Sequence, residues 1–397
     1  MATQRKIIFI STRIPARSEK GDQLTAFYRL KSFIEKGFKV DLICFQMGSK
    51  EKFKNNVSFL SNLKNVNVHI VKFSLLSALL NIFFGVILNK NIPIQCLFFK
   101  NKKFSKKIYQ LIKENDTAII YSNLIRPLAN IKFPVENLYV DLVDSIFLNY
   151  SRRLNRTKSI KNLFFYFEMK KLKHFESFVV ENSLESSVVS EQDKKNISIQ
   201  KKLIVIPNGV DCSVFLKRKK FLKVPSVVFF GNLSYFPNAD GILWFINNVW
   251  SLVLDQVSNA KLTIIGGGAS KKLLKLISKF ESISYCGYVD SIEFELRNYS
   301  VSIAPLQSGS GIQNKILESM CAGVPVVASC IAAKGLPEEA KDNIKIGSSP
   351  EIFSSHICNL LIDKELNNLY SESGRKYIKL NHDWKLLNSK ISFLSQK

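Results

Sequence analysis

Residues Val301 to Ser329 read VSIAPLQSGSGIQNKILESMCAGVPVVAS. Val301 to Pro305 is a short apolar run suited to a buried strand, and the glycines and serines of Gln307 to Gly311 break it. Ile312, Ile316, Leu317 and Met320 then fall at the spacing of one apolar helical stripe. Gly323 is placed to cap that helix, and Pro325 forbids its continuation. Val324 to Ser329 returns to strand. Strand, small-residue loop, helix and strand make a βαβ unit whose helix N-terminus, with its unpaired amides, opens toward the loop. Such a place suits a phosphate.

The same grammar runs along the chain. Lys6 to Ser11 (KIIFIS), a loop, a helical pattern over Leu24 to Lys36 and then Val40 to Phe45 (VDLICF) open the sequence with another βαβ unit and a parallel sheet. Further buried strands are expected at Val66 to Val71, Thr117 to Ser122, Leu138 to Leu142, Phe178 to Glu181 and Ser187 to Ser190, and Lys202 to Pro207 reads as the last strand of this half. A charged, proline-ended linker follows, LKRKKFLKVP. A second βα series then begins with VVFFGNLS (Val227 to Ser234), KLTIIGGG (Lys261 to Gly268) and SISYCGYV (Ser282 to Val289). Tyr370 to Gln396 is helical in pattern. Two consecutive βα domains suggest two Rossmann-like lobes with ligands at the carboxyl ends of their strands.

Composition bounds the reading. Hydrophobic residues make up 46% of the 397 and charged residues 22%, the proportions of a folded chain with enough length for two cores. Basicity is the outlier: Lys and Arg exceed Asp and Glu by 57 to 32, and residues 1 to 200 hold 33 against 16 of these, or +17 of the net +25. An anionic partner or a lysine-rich solvated surface both account for that. Seven scattered cysteines without a CxxC pair fit reduced thiols in the cytoplasm, and the N-terminus lacks a signal-peptide pattern. The four histidines have no partner at metal-ligand spacing, so no metal is expected. Scattered lysines without a nucleic-acid motif also speak against a nucleic-acid partner.

The most hydrophobic stretch, Phe73 to Leu88 (FSLLSALLNIFFGVIL), is shorter than the roughly 20 residues of a spanning helix. It reads as a buried or interfacial helix. Its neighbour, Lys100 to Lys113, is strongly cationic, so the pair fits either an anionic membrane surface or two ordinary helices with a solvated lysine face.

Lys315 and Glu318 stand three positions apart on the helix after the glycine loop, so they project from neighbouring points of one face. Such pairs are most often surface ion pairs worth a fraction of a kcal/mol. Position argues for more: loop amides and a lysine would hold a diphosphate, and a carboxylate one turn on would accept hydrogen bonds from ribose hydroxyls. In the first half, Asp141 and Asp144 end a strand, where either a ligand contact or an N-cap for the next helix is open. Arg152, Arg153 and Arg156 follow.

With PNGVD (Pro207 to Asp211), FFGNLS, IIGGG, GYV and SGSGIQNKILESMCAGVPVVAS in this order, the chain resembles the retaining glycosyltransferases of family 4, the glycosyl transferases group 1. The resemblance implies the α/β GT-B fold, two Rossmann-like domains facing a central cleft, with a C-terminal helix returning to the first. The domains would span 1–215, 216–375 and a helix 376–397. By that resemblance Glu318 binds the donor ribose and Lys315 the diphosphate, as a catalytic cation. Gly309, Gly311, Ile312 and Gln313 contact phosphates or sugar, Gly266 and Val289 border the base, and Gly21 lets a first-domain loop approach the donor. Asp144 takes a catalytic place where many members have a histidine. Two departures stand out: Ser310 occupies the position of the first of two family glutamates, and Asn232 that of a frequent arginine. The implied activity is hexosyl or related transfer, without cofactor, from a nucleotide-diphosphate sugar to a glycan or lipid-linked acceptor. Cell-surface polysaccharide synthesis in the cytoplasm, at the inner face of the membrane, is the implied setting. A sugar-nucleotide epimerase or a non-catalytic GT-B subunit are the alternatives.

Overall fold

The structure, a computed structural model, describes residues 5–17, 21–88, 91–154, 161–215, 224–309 and 311–395; in 86–88, 149, 152–154 and 161–164 it describes the backbone alone. The linker 216–223, Arg156 and Ser310 lie outside the described residues, as do the side chains of Arg152 and Arg153. The chain forms two units, 1–207 with 388–397 and 208–387.

In the first unit, β1 (Lys6–Ser11), β2 (Lys39–Gln46), β3 (Val66–Lys72), β4 (Ile119–Asn123), β5 (Leu138–Val143), β6 (Glu185–Val188) and β7 (Leu203–Val205) form one sheet in the order β3-β2-β1-β4-β5-β6-β7. Every pairing is parallel. Helices cover both faces of such a sheet, so its central strands are apolar throughout: Ile7, Ile8, Phe9 and Ile10 are all fully buried. The order reverses between β1 and β4, the kind of switch point at which ligands of open α/β sheets bind.

The second unit holds β8 (Ser226–Phe230), β9 (Lys261–Ile265), β10 (Ile283–Gly287), β11 (Val301–Ala304), β12 (Val326–Ser329) and β13 (Lys345–Gly347) in the order β10-β9-β8-β11-β12-β13, again parallel. Alternation along β8 divides the core in two. Val227 and Phe229 join one apolar cluster with Trp250 and Phe353, while Val228 and Phe230 join another with Ile316, Leu317 and Met320. The second cluster anchors the helix Asn314–Ala322. This helix starts two residues later than its apolar stripe suggests, because Ile312 packs on the core from the loop.

Three expectations are corrected. Phe178 to Glu181 is not a strand but the end of the helix Lys161–Glu181, whose buried Leu172, Phe175, Val179 and Val180 keep helical spacing; the strand forms only at Glu185–Val188. The C-terminal segment is three helices, Lys364–Asn381, Trp384–Asn388 and Ser392–Ser395. The first break falls where Asp383 pairs with Val210. Of the two readings of the helix Leu75–Leu88, buried or interfacial, the buried one is corrected: Ala78 and Gly85 are buried, while Leu75, Leu76, Leu79, Leu80, Phe83 and Phe84 are exposed.

Candidate functional site

The sheet of the second unit reverses its order between β8 and β11, and the loops leaving those strands meet there. After β8, Gly231 donates its N–H to Ile265 (2.9 Å) and Leu233 donates to Gly267 (2.9 Å), which lays this loop on the one following β9. Contact is too close for side chains: a Cβ on Gly266 would stand 1.9 Å from the Gly231 carbonyl oxygen. Asn232 sits in this turn and accepts from the Ser234 amide at 2.9 Å. Val289 follows β10 and packs on the core. After β11, Gly309 and Gly311 take positive φ values of 140° and 74°, which turns the chain into Gln313, the residue preceding the helix. Gly335 supports this loop from below; its Cα approaches so closely that a Cβ would lie 2.2 Å from the Gly311 oxygen.

Lys315 lies in the first turn of that helix and is only 9% exposed. Its Nζ donates to Asn238 Oδ1 at 2.7 Å and stands 4.5 Å from the centroid of Phe229. Asn238 Nδ2 donates in turn to the Asn232 carbonyl at 2.9 Å, so the ammonium is held at the carboxyl end of β8. This placement runs against the helix dipole. A helix N-terminus carries positive partial charge and disfavours a cation. Residues that break a local rule in this way are expected at functional sites. Glu318, one turn on, is half-buried. The helix is fixed from behind by Ser319, whose hydroxyl bonds Ser302 on β11 at 2.8 Å. The PNGVD segment reaches its start through Asn208 Nδ2 and Asn314 Oδ1 (3.3 Å).

Asn232, Gly266, Val289, Gly309, Gly311, Ile312, Gln313, Lys315 and Glu318 thus all lie on or next to the carboxyl ends of β8 to β11. Sequence reasoning missed Asn238 and Gly335. Asn238 is an ordinary residue of the helix Phe236–Asn248, 77 positions from Lys315, and carries no local signal.

Gly21 and Asp144 belong to the first unit and do not neighbour each other along its sheet edge: one follows β1, the other β5, with β4 between. Gly21 precedes the helix Asp22–Glu35 with φ 69°. Asp141 is no ligand contact, since Arg29 Nε holds it at 2.9 Å and Tyr121 at 3.1 Å, all fully buried. Two other side chains meet the first amides of the helix Ile146–Leu154. Ser145 Oγ accepts from Leu148, and Glu176 accepts from the amides of Ile146 (2.7 Å) and Phe147 (3.1 Å). Val143, just before Asp144, has φ 64°, a strained conformation for a β-branched residue. At the ends of β1 and β4, Thr12 Oγ1, Asn123 Oδ1 and Asp22 Oδ2 are buried without a hydrogen-bond partner. Among the described residues no three His, Cys, Asp or Glu side chains gather as a metal site requires.

A family model, Glycosyl transferases group 1, matches residues 224–363. Over that span the chain is similar to this family. The fold of the chain is GT-B, two parallel α/β sheets shared with solved glycosyltransferases over nearly all of its length. A crystal structure of a glycosyltransferase from Rickettsia africae aligns with a TM-score of 0.67 at 16% identity, covering 99% of this chain and 98% of its own. Anabaena HepE in complex with UDP aligns with a TM-score of 0.63 at 14% identity over 98% of both chains. In sequence, the uncharacterized 44.6 kDa protein in the cps region of Klebsiella pneumoniae is 24% identical over 366 residues, 89% of this chain and 90% of its own. The span matched by the group 1 model holds β8 to β13 and Lys315.

Proposed function

We propose that this glycosyltransferase moves a sugar, with retention of configuration, from a nucleotide-diphosphate sugar to a glycan or lipid-linked acceptor in cell-surface polysaccharide synthesis. The observation that carries the reading is Lys315, buried in the first turn of a helix at the point where the sheet order reverses. A diphosphate is a group that both this lysine and the helix N-terminus attract. Complexes of HepE with UDP and with UDP-glucose, on the same fold, support a nucleotide sugar, and the cps-region relative supports polysaccharide synthesis.

Transfer breaks the bond from the anomeric carbon to the terminal phosphate oxygen and forms one to an acceptor hydroxyl oxygen, whose proton passes to the departing diphosphate. Negative charge grows on the leaving group. Lys315 and the amides of the Gly309–Gln313 segment stabilise that charge without reorganisation, and no metal or cofactor is needed for it. Glu318 receives the ribose hydroxyls, while Gly266, Val289 and Asn232 border the rest of the donor. In the first unit, Gly21 after β1 and Asp144 after β5 are the residues placed at strand ends for the substrates.

Donor-panel hydrolysis with the purified protein tests the reading. Lys315→Ala is expected to lower turnover by about 10²- to 10³-fold with circular dichroism unchanged. Glu318→Ala is expected to raise KM for the donor about tenfold and leave kcat nearly intact. Wild-type hydrolysis by the Lys315 variant would overturn the assignment.

A further inference from the structure

We infer that the helix Leu75–Leu88 is a membrane-contact element that lies on the surface of an anionic bilayer. Its packing is inverted relative to a helix of a soluble domain. The inward face is built of Ala78, Asn81, Ile82 and Gly85, and Gly85 approaches Leu97 so closely that a Cβ would stand 2.7 Å from it. The outward face is Leu75, Leu76, Leu79, Leu80, Phe83 and Phe84, with Leu76 70% and Phe83 65% exposed. Contiguous exposure on this scale marks an interaction surface rather than the scattered apolar residues of ordinary surfaces. At about 1.5 Å per residue the 14 residues reach roughly 21 Å, short of a bilayer core, so the helix lies in the interface rather than crossing it.

Charge selects the occupant. Between Glu51 and Glu114 the sequence contains eleven lysines and no acidic residue. Asn81, in the middle of the helix, donates to the Lys100 carbonyl at 2.5 Å, so the apolar face is tied to the start of the lysine-rich segment. There Lys100 is exposed, as are Lys102, Lys103 and Lys106 of the helix Lys102–Glu114, while Phe104, Ile108 and Leu111 of that helix fill the core. A second copy of the chain would bring two such lysine-rich segments together and be repelled. A nucleic acid would leave the apolar face in water. An anionic leaflet satisfies both, with each lysine near its surface contributing about a fivefold gain in binding.

Flotation of the full chain with vesicles tests this without nucleotide, so its outcome is independent of the transfer reaction. Vesicles of phosphatidylcholine with about one-third phosphatidylglycerol should carry the protein at least tenfold better than phosphatidylcholine alone, and about 0.5 M salt should weaken the difference. The double variant Leu76→Ser/Phe83→Ser, at two exposed positions, should lose at least tenfold in binding with its melting temperature kept. Lys102→Glu/Lys106→Glu should lose the preference for anionic vesicles. The inference is overturned by absent wild-type flotation, by equal flotation of the serine variant, or by a wild-type dimer in sedimentation that the serine variant turns into monomer.

Discussion

A single ammonium shows how far one residue's surroundings reach. Lys315 is visible in the sequence as a helical partner of Glu318, but its burial and its bond to Asn238 depend on a contact across 77 positions, which no local pattern encodes. The glycines around it divide in the same way. Gly309 and Gly311 are legible as loop formers, and their positive φ agrees; the need for glycine at 335 comes from the Gly311 carbonyl pressing against it and cannot be read from AAKGLP. Gly335→Ala should displace the 309–313 segment, lowering nucleotide affinity about tenfold in calorimetry while the rest of the second unit stays folded. Gly266→Ala is expected to be worse. Its Cβ would meet backbone at 1.9 Å in a conformation L residues rarely adopt, and a loss of ~3 kcal/mol or more should appear in chemical denaturation.

At the scale of elements, strand order and most helices follow from apolar periodicity, and the errors fall where tertiary contacts outvote it. FVVE has the β-branched look of a strand, yet Val179 and Val180 continue a buried helical stripe that began at Leu172. The start of the helix Ile146–Leu154 depends on Glu176, which arrives from 30 residues away to take its first amides and carries no local signal. Burial pushes the Glu176 carboxyl up from the ordinary 4.5 to about 7, against the lowering effect of those amides and Ser145, with nearby Asp144 adding to the rise. The folded state therefore binds this proton across an interval in which the unfolded chain has lost it. Stability from this group is full below about pH 4.5 and falls as pH rises through 7, by about 3 kcal/mol at most. Glu176→Gln should flatten the decline in melting temperature of the first unit between pH 5 and 8, measured by scanning calorimetry.

For the whole molecule, the βα alternation shows two parallel sheets plainly, whereas the chain's crossing points are hidden: Pro207 and Asn208 belong to one short motif yet to different units. The return at Asn388 is made by packing, not by a pattern. Asn388 accepts from Arg29 and donates to the Tyr28 carbonyl at 3.0 Å, and Phe393 inserts among Phe33, Phe38, Tyr121 and Tyr139. Ending the chain after Leu387 should destabilise the first unit by roughly 3–5 kcal/mol, since Arg29 loses a buried partner and an aromatic core opens. The second unit should keep its own calorimetric transition and its nucleotide binding. The same return has a consequence for synthesis. Strands β1 to β7 leave the ribosome first, but Arg29 and Asp141 wait for Asn388, so the unit that begins the chain is completed after the one that follows it.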